Sequence, residues 1–235
     1  MLKVASAQCS IIQNNILKAI AHINKGIAWA EQYTVDVLCF PECYLQGYFL
    51  DRDQAKQVAL DCAGEKFREV LSQIKGTPVT LIVGLIEIEG GLLFNTAVVI
   101  ENGQLIGKYR KAHPNEKIYT AGNDLPVFWK KGVKYGINIC NDANYPDTAK
   151  KLKDQGAEII FFPLNNRLPN NTADLWRGKS KENLINCAKN NNCWVVSADV
   201  VYKGKDEKSF GCSLIVDPAG EIQVMAKEFK VQLIK

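Results

Sequence analysis

Short apolar runs that stop abruptly at a polar residue, with helix-period stretches between them, constrain this chain's fold more than any other feature. Leu2 to Gln8 reads as a buried strand. Ile16, Ile20, Ile23, Ile27 and Ala30 follow at helical spacing, with Asn14 or Asn15 placed to cap that helix. Val35 to Phe40 is a second strand closed by Pro41, so Glu42 falls at its carboxyl end, where α/β sheets commonly carry their chemistry. A helix over 67–74 and a strand over 79–88 come next. The order then recurs: a strand over 133–140, a helix from about Pro146, a strand over 157–163, a helix from Asp174 to about Asn190, and a strand over 193–199. This repetition predicts an α/β protein with two similar sheets face to face and helices outside. No Gly/Ser/Pro linker interrupts it, so one domain over 1–235 is expected.

Two turns are specific. Asn102-Gly103 sits between Val98-Val99-Ile100 and Leu105-Ile106, a strong hairpin signal. Asp217-Pro218-Ala219-Gly220 divides a second strand pair. Lys and Arg number 29 against 25 Asp and Glu, giving a net charge of +4 and no basic stripe, so no nucleic-acid partner is expected. No apolar run approaches the roughly 20 residues that span a bilayer, so no membrane partner is expected either. The opening Met1-Leu2-Lys3-Val4-Ala5 reads directly as core strand without a secretory leader. Most of the eight cysteines fall in apolar runs, where a free thiol acts as a small hydrophobe, and a reduced cytoplasmic setting is expected. Asn170-Asn171-Thr172 fits a glycosylation acceptor, which carries no weight without export.

Three residues at the ends of apolar runs carry the chemistry. Glu42 follows Leu38-Cys39-Phe40-Pro41, Lys111 closes Tyr109-Arg110-Lys111, and Cys140 closes Ile137-Asn138-Ile139-Cys140 ahead of Asn141-Asp142. A thiol supplies a nucleophile, a carboxylate moves protons and an ammonium holds a developing oxyanion. Those parts suffice to open a C–N bond. Taken singly, each residue has a plainer reading as core filler, loop carboxylate or surface lysine. Strand alternation puts 109, 111 and 113 on one face and 108, 110 and 112 on the other.

Taken in order, Val4-Ala5-Ser6-Ala7-Gln8, Phe40-Pro41-Glu42, Ile82-Val83-Gly84-Leu85, Phe94-Asn95-Thr96-Ala97, Tyr109-Arg110-Lys111, Thr120-Ala121-Gly122-Asn123-Asp124 and Ile139-Cys140-Asn141-Asp142 resemble the carbon–nitrogen hydrolase (nitrilase) superfamily, over about Leu2 to Val224. The resemblance implies a four-layer α-β-β-α sandwich, a Glu42–Lys111–Cys140 triad acting on small non-peptide amides, no cofactor, and a homodimer. It makes the backbone N–H of Asn141 an oxyanion donor and Glu116 a candidate second carboxylate. Nitrile-cleaving relatives usually carry Cys-Trp-Glu. Cys140-Asn141-Asp142 therefore favours an amide or carbamoyl substrate. Ala143 and Asn144 stand where N-carbamoyl amino acid hydrolases often have arginines, with Arg167 as an alternative grip on a carboxylate.

Tyr48, Asn165, Asn166 and Arg167 complete the candidate substrate contacts, each also readable as a turn residue or core aromatic. With only His22, on a helix and facing solvent, and His113 present, and with no Cys-x-x-Cys pair, neither a Cys–His protease nor a zinc site is expected. A nitrilase, a non-catalytic interaction protein on the same fold, and a redox-active thiol protein are the competing readings.

Overall fold

The computed structural model describes residues 1–235. The chain begins with β1 (Val4–Ser10), α1 (Ile16–Gln32) and β2 (Val37–Cys39), then α2 (Arg52–Val58) and α3 (Glu65–Gln73). The hairpin series β3 (Thr80–Glu89), β4 (Leu92–Glu101) and β5 (Gln104–Arg110) follows. Next, β6 (Val127–Lys130) and β7 (Val133–Ile137) lead through a 3₁₀ turn at Cys140–Asn144 into α4 (Pro146–Asp154). Then come β8 (Ile159–Pro163), β9 (Leu168–Pro169), α5 (Asn170–Asn191), β10 (Trp194–Ala198) and β11 (Val200–Lys203). The chain ends with β12 (Glu207–Ser209), β13 (Leu214–Val216), β14 (Ile222–Met225) and β15 (Gln232–Ile234).

One sheet runs β5-β4-β3-β2-β1-β11-β12-β9, with β15 also paired to β1; the other runs β14-β13-β10-β8-β7-β6. Both are mixed. β1, β2 and β3 are parallel while β3, β4 and β5 are antiparallel. β7, β8 and β10 are parallel, flanked by antiparallel β6 and β13.

Strand alternation turns these two sheets into four layers. On β3, Leu81, Val83 and Leu85 pack with Ile20, Ile23 and Ile27 of α1 and Phe67 and Val70 of α3. Ile82 faces the other way and joins Val37, Cys39, Ala97, Val99 and Tyr109 against Tyr135, Ile137, Phe161 and Val196 of the second sheet. Ile160 and Phe162 of β8 and Val195 of β10 point outward to Ala149 and Leu152 of α4 and Leu184 and Ala188 of α5. This is the α-β-β-α arrangement.

Asn15 caps α1, its side chain accepting from the Lys18 N–H at 2.9 Å. Asn102 and Gly103 both take positive φ (50° and 73°), as the hairpin signal requires. Three expectations change. α5 begins at Asn170 rather than Asp174, so Asn170-Asn171-Thr172 is its first turn. The strand expected to reach 140 ends at Ile137, and Cys140 opens the 3₁₀ turn instead. His22, expected to face solvent, is half-buried with its ring 3.1 Å from the Tyr44 hydroxyl.

Candidate active site

The turn after β2 lies directly on β3. A Cβ built on Gly84 would meet the Cys43 nitrogen at 2.5 Å and the Glu42 carbonyl carbon at 2.8 Å, with Pro41 O closer still. Only a residue without Cβ lets this backbone pass. Cys43 adopts φ 49°, and the Glu42 N–H donates to Leu164 O at 3.1 Å, fastening the turn to the segment after β8. The Glu42 side chain is therefore held inside, with the residue 1% exposed.

Lys111 follows the last residue of β5 and is equally buried. Its N–H donates to Asn95 O, and its ammonium donates to Glu42 Oε1 at 2.7 Å. The same oxygen accepts from Asn95 Nδ2 at 2.7 Å, while Glu42 Oε2 is buried with no partner. One carboxylate oxygen is thus committed and the other is free to take a proton. Lys108 and Arg110, on the opposite strand face, both pair with Glu87 instead. Alternation separates these cations as expected.

Cys140 sits at φ 42°, a left-handed conformation uncommon outside glycine that swings the chain out of the strand line and into the 3₁₀ turn. Asp142 fixes that turn. Its Oδ2 accepts from the Tyr109 hydroxyl (2.7 Å) and the Ile139 N–H (2.8 Å), and its Oδ1 from the His113 N–H (2.9 Å). Tyr109 and His113 bracket Lys111, so one buried carboxylate ties the lysine segment to the cysteine turn. A second tie runs from Asn141 Nδ2 to His113 O at 2.8 Å. The His113 ring stacks on Tyr145, 3.7 Å between centroids.

The electrostatics are those of a buried acid–cation–thiol group. Burial raises the Glu42 carboxyl above its ordinary range, opposed by Lys111 and the Asn95 amide. Burial alone would lower Lys111, but the negative groups around it, Glu42 first, win and hold its ammonium charged. The Cys140 thiol is pushed well up by burial and then by Glu42, against the pull of Lys111 and a hydrogen bond from the Asn165 N–H. Burial thus favours the neutral thiol, and Glu42 lies near enough for its charge to act on it.

These side chains border a cavity of about 400 Å³. Lys111, Cys140, Asn141, Glu116, Tyr48, Asn165, Asn166 and Arg167 all line it, so every residue singled out from the sequence except Glu42 meets there; Glu42 lines a small cleft beneath, shared with Tyr48, Asn165 and Arg167. Glu116 Oε2 is buried without a partner, like Glu42 Oε2. Asn166 is pinned from behind by Asp199, which is fully buried. Its Oδ1 accepts from the Asn166 N–H (3.0 Å) and the Val200 N–H (2.8 Å), and its Oδ2 from Asn166 Nδ2 (2.8 Å). Burial raises the Asp199 carboxyl to about 6. Sequence reasoning missed Asn95, Asp142, Asp199 and Gly84 as working parts of the site. Asn95 and Asp142 lie inside motifs that were noticed, but nothing local says which distant group each serves.

A family model described as Carbon-nitrogen hydrolase matches residues 3–235. A nitrilase of Pyrococcus abyssi (strain GE5 / Orsay) is 30% identical over 236 residues, covering 97% of this chain and 86% of that protein. A 2-oxoglutaramate amidase of Bacillus subtilis (strain 168) is 31% identical, covering 88% of this chain and 78% of its own length. Among solved structures, a mutant amidase from Nesterenkonia sp. AN1 shows covalent addition of the acetamide moiety of fluoroacetamide at its active-site cysteine. It matches with a TM-score of 0.82 at 20% identity, over 99% of this chain and 88% of that one, a likeness of fold.

Proposed function

Because this chain belongs to the carbon–nitrogen hydrolase family and is a hydrolase of non-peptide C–N bonds, we propose that it is a thiol amidohydrolase working in one domain through Glu42, Lys111 and Cys140. The reading rests chiefly on Glu42: one oxygen held by Lys111 and Asn95, the other buried and unpartnered in the same group as a protonated thiol.

The cycle follows from those positions. Glu42 Oε2 takes the Cys140 proton as the sulfur attacks the amide carbon. The carbonyl oxygen becomes an oxyanion, met by the Lys111 ammonium and the Asn141 N–H. The tetrahedral adduct collapses, the C–N bond breaks, and Glu42 returns the proton to the leaving ammonia. A thioester on Cys140 remains. Water then loses a proton to Glu42 as it attacks, and the proton goes back to the sulfur as the carboxylic acid leaves. Glu116, also on the cavity wall, is suited to accept from the amide nitrogen and orient it. A carboxylic amide is preferred to a nitrile. A homodimer and a reducing compartment belong to the same reading, the second supported by eight unpaired cysteines.

An ammonia-release screen over matched small amides, ureas and nitriles tests this, with Cys140→Ala and Cys140→Ser as controls. Amides should turn over faster than the matched nitriles, and both variants should be inactive. Brief exposure to iodoacetamide should label Cys140 first by mass spectrometry. A nitrile preference would favour the nitrilase reading. Activity retained in Cys140→Ala would end the mechanism.

A further inference from the structure

The segment Leu164-Asn165-Asn166, between β8 and β9, touches both reacting groups. Leu164 O accepts the Glu42 N–H at 3.1 Å. On the other side, β7 and β8 run parallel with Ile137 opposite Phe161, and the Asn138 N–H donates to Phe161 O at 2.9 Å. Continued past the strand ends, that register brings Cys140 alongside the segment, where its sulfur accepts from the Asn165 N–H. Cys140 and Asn165 accordingly share the cavity wall. An N–H aimed at sulfur stabilises the thiolate over the thiol. The placement of this one peptide group therefore bears directly on how readily Cys140 ionises.

The segment is neither helix nor strand, so no ladder of its own keeps it in place. It is held from outside. The Leu164 N–H donates to Ala198 O at 2.7 Å, and the next residue, Asp199, takes both donors of Asn166: the main-chain N–H on Oδ1 at 3.0 Å and Nδ2 on Oδ2 at 2.8 Å. Asp199 also accepts from the Val200 and Cys212 N–H groups, and its own N–H donates to Ser213 Oγ at 2.8 Å. A fully buried carboxylate is costly. Only an acceptor on both oxygens satisfies every one of these donors, since an amide would turn an N–H₂ toward some of them. The Asp199 charge acts weakly against a Cys140 thiolate, but the Asn165 hydrogen bond outweighs it.

We infer that Asp199 is a positioning residue for the thiol: by gripping Asn166 through both its main chain and its side chain, it holds the adjoining Asn165 N–H on the Cys140 sulfur. The importance of that thiol rests on the amidohydrolase reading. The grip and its effect on the sulfur do not.

The test follows alkylation of Cys140 by iodoacetamide, read by mass spectrometry from neutral to alkaline pH, which needs no substrate. Asp199→Asn sets an N–H₂ group against the Asn166 amide and loosens the segment. Alkylation at neutral pH should fall about 10-fold, with its pH profile moved up by about one unit. Loss of a nearby negative charge alone would move the profile the other way, so the sign separates positioning from simple electrostatics. Asn166→Asp sets two carboxylates together and should slow alkylation likewise. The double variant Asp199→Asn, Asn166→Asp exchanges carboxylate and amide, restores the side-chain bond with donor and acceptor reversed, and should recover most of the lost rate. A merely structural loss would instead add up in the double variant. It also carries the test if Asp199→Asn alone fails to fold. On any amide that the wild type cleaves, kcat should fall with the alkylation rate while KM changes little. An Asp199→Asn profile that is unchanged or moved down, or a double variant slower than either single one, would overturn the assignment. If alkylation follows the expected pattern yet no amide is turned over, the positioning role stands and the amidohydrolase reading fails.

Discussion

Replacing Gly84 by alanine should disable the site without touching any group that reacts. The added methyl group would lie 2.5 Å from the Cys43 nitrogen and nearer still to Pro41 O, and ordinary contact starts near 3.4 Å, so the turn carrying Glu42 must retreat by about 1 Å. The obstructing atoms are backbone, not the end of a flexible side chain, and they cannot rotate away. The turn is also held by the Leu45 N–H to Gly84 O bond at 3.0 Å and the Glu42 N–H to Leu164 O bond at 3.1 Å. Overpacking of this kind costs about 1–3 kcal/mol, and a displacement near 1 Å at a reacting group costs about 10²-fold in rate. The expected result is a melting temperature lowered by several degrees and kcat down about 100-fold, with KM changed much less. Gly76→Ala is the control, since nothing lies within 4 Å of its Cβ position. Steady-state kinetics and thermal melts on the two variants decide the matter. A Gly84→Ala enzyme with wild-type kcat and stability would show that the turn does not depend on that close approach.

Three further outcomes are expected. Lys111→Met and Glu42→Gln should both lose turnover, the former by at least 10²–10³-fold. Iodoacetamide alkylation of Cys140 should slow more in Lys111→Met, because that thiol loses the cation that favours its ionised form; profiles identical to wild type in both variants would mean that neither group neighbours the thiol. Asp199 binds its proton more tightly folded (about 6) than at its ordinary 3.8, so its contribution to stability is present below 3.8 and is lost as pH rises through 6. That difference corresponds to about 3 kcal/mol, so the unfolding free energy of Asp199→Asn should gain on wild type by a few kcal/mol between pH 3.5 and 7 in urea titrations, and parallel pH curves would contradict it. Gly178 lies in the interior of α5 with nothing within 4 Å of its Cβ position. Gly178→Ala should stabilise by about 0.5–1 kcal/mol in the same titration, and a loss of stability would argue against that helical environment.

How far the sequence could be read depended on the range of the signal. Strand alternation only separated Lys111 from Lys108 and Arg110, and the family resemblance chose it. Glu42 and Cys140 stood out because each lies at or just beyond the end of an apolar run, and such ends are visible locally. The α1 cap and the Asn102-Gly103 hairpin were legible for the same reason, being decided within a few residues. α2 was missed because its sequence, Arg52–Val58, buries only Ala55 and so shows no apolar stripe. The start of α5 was misplaced because its first turn is polar and only Ala173, Leu184, Ala188 and Asn191 are buried along its length. Asn95, Asp142 and Asp199 act on partners 53, 33 and 33 residues away. No periodicity encodes such a pairing, and only the folded sheets bring the two ends together. Arg167 was singled out with its neighbours Asn165 and Asn166, but its ion pair with Glu207 at 3.4 Å emerges only when the cavity wall is assembled.

The position of β1 has a consequence for how the chain comes into being. Its inner edge pairs with β2, made soon after it, while its outer edge pairs with β11 and β15. Ser6 lies opposite both Cys39 and Ile234, and its hydroxyl donates to Ser197 O, 191 residues away. During synthesis one edge is closed early and the other waits, bare, until β11 and β15 emerge. A bare strand edge is a template for pairing with the wrong chain, and closing so long a loop is slow. The segments bearing Arg167 and Glu207 belong to that late stretch. A nascent chain thus holds Glu42, Lys111 and Cys140 before it has the wall that faces them, and a stall short of Gln232 leaves a sticky half-built sheet. Demand on chaperones should therefore be greatest in the interval before β11 and β15 have been made and have closed that edge.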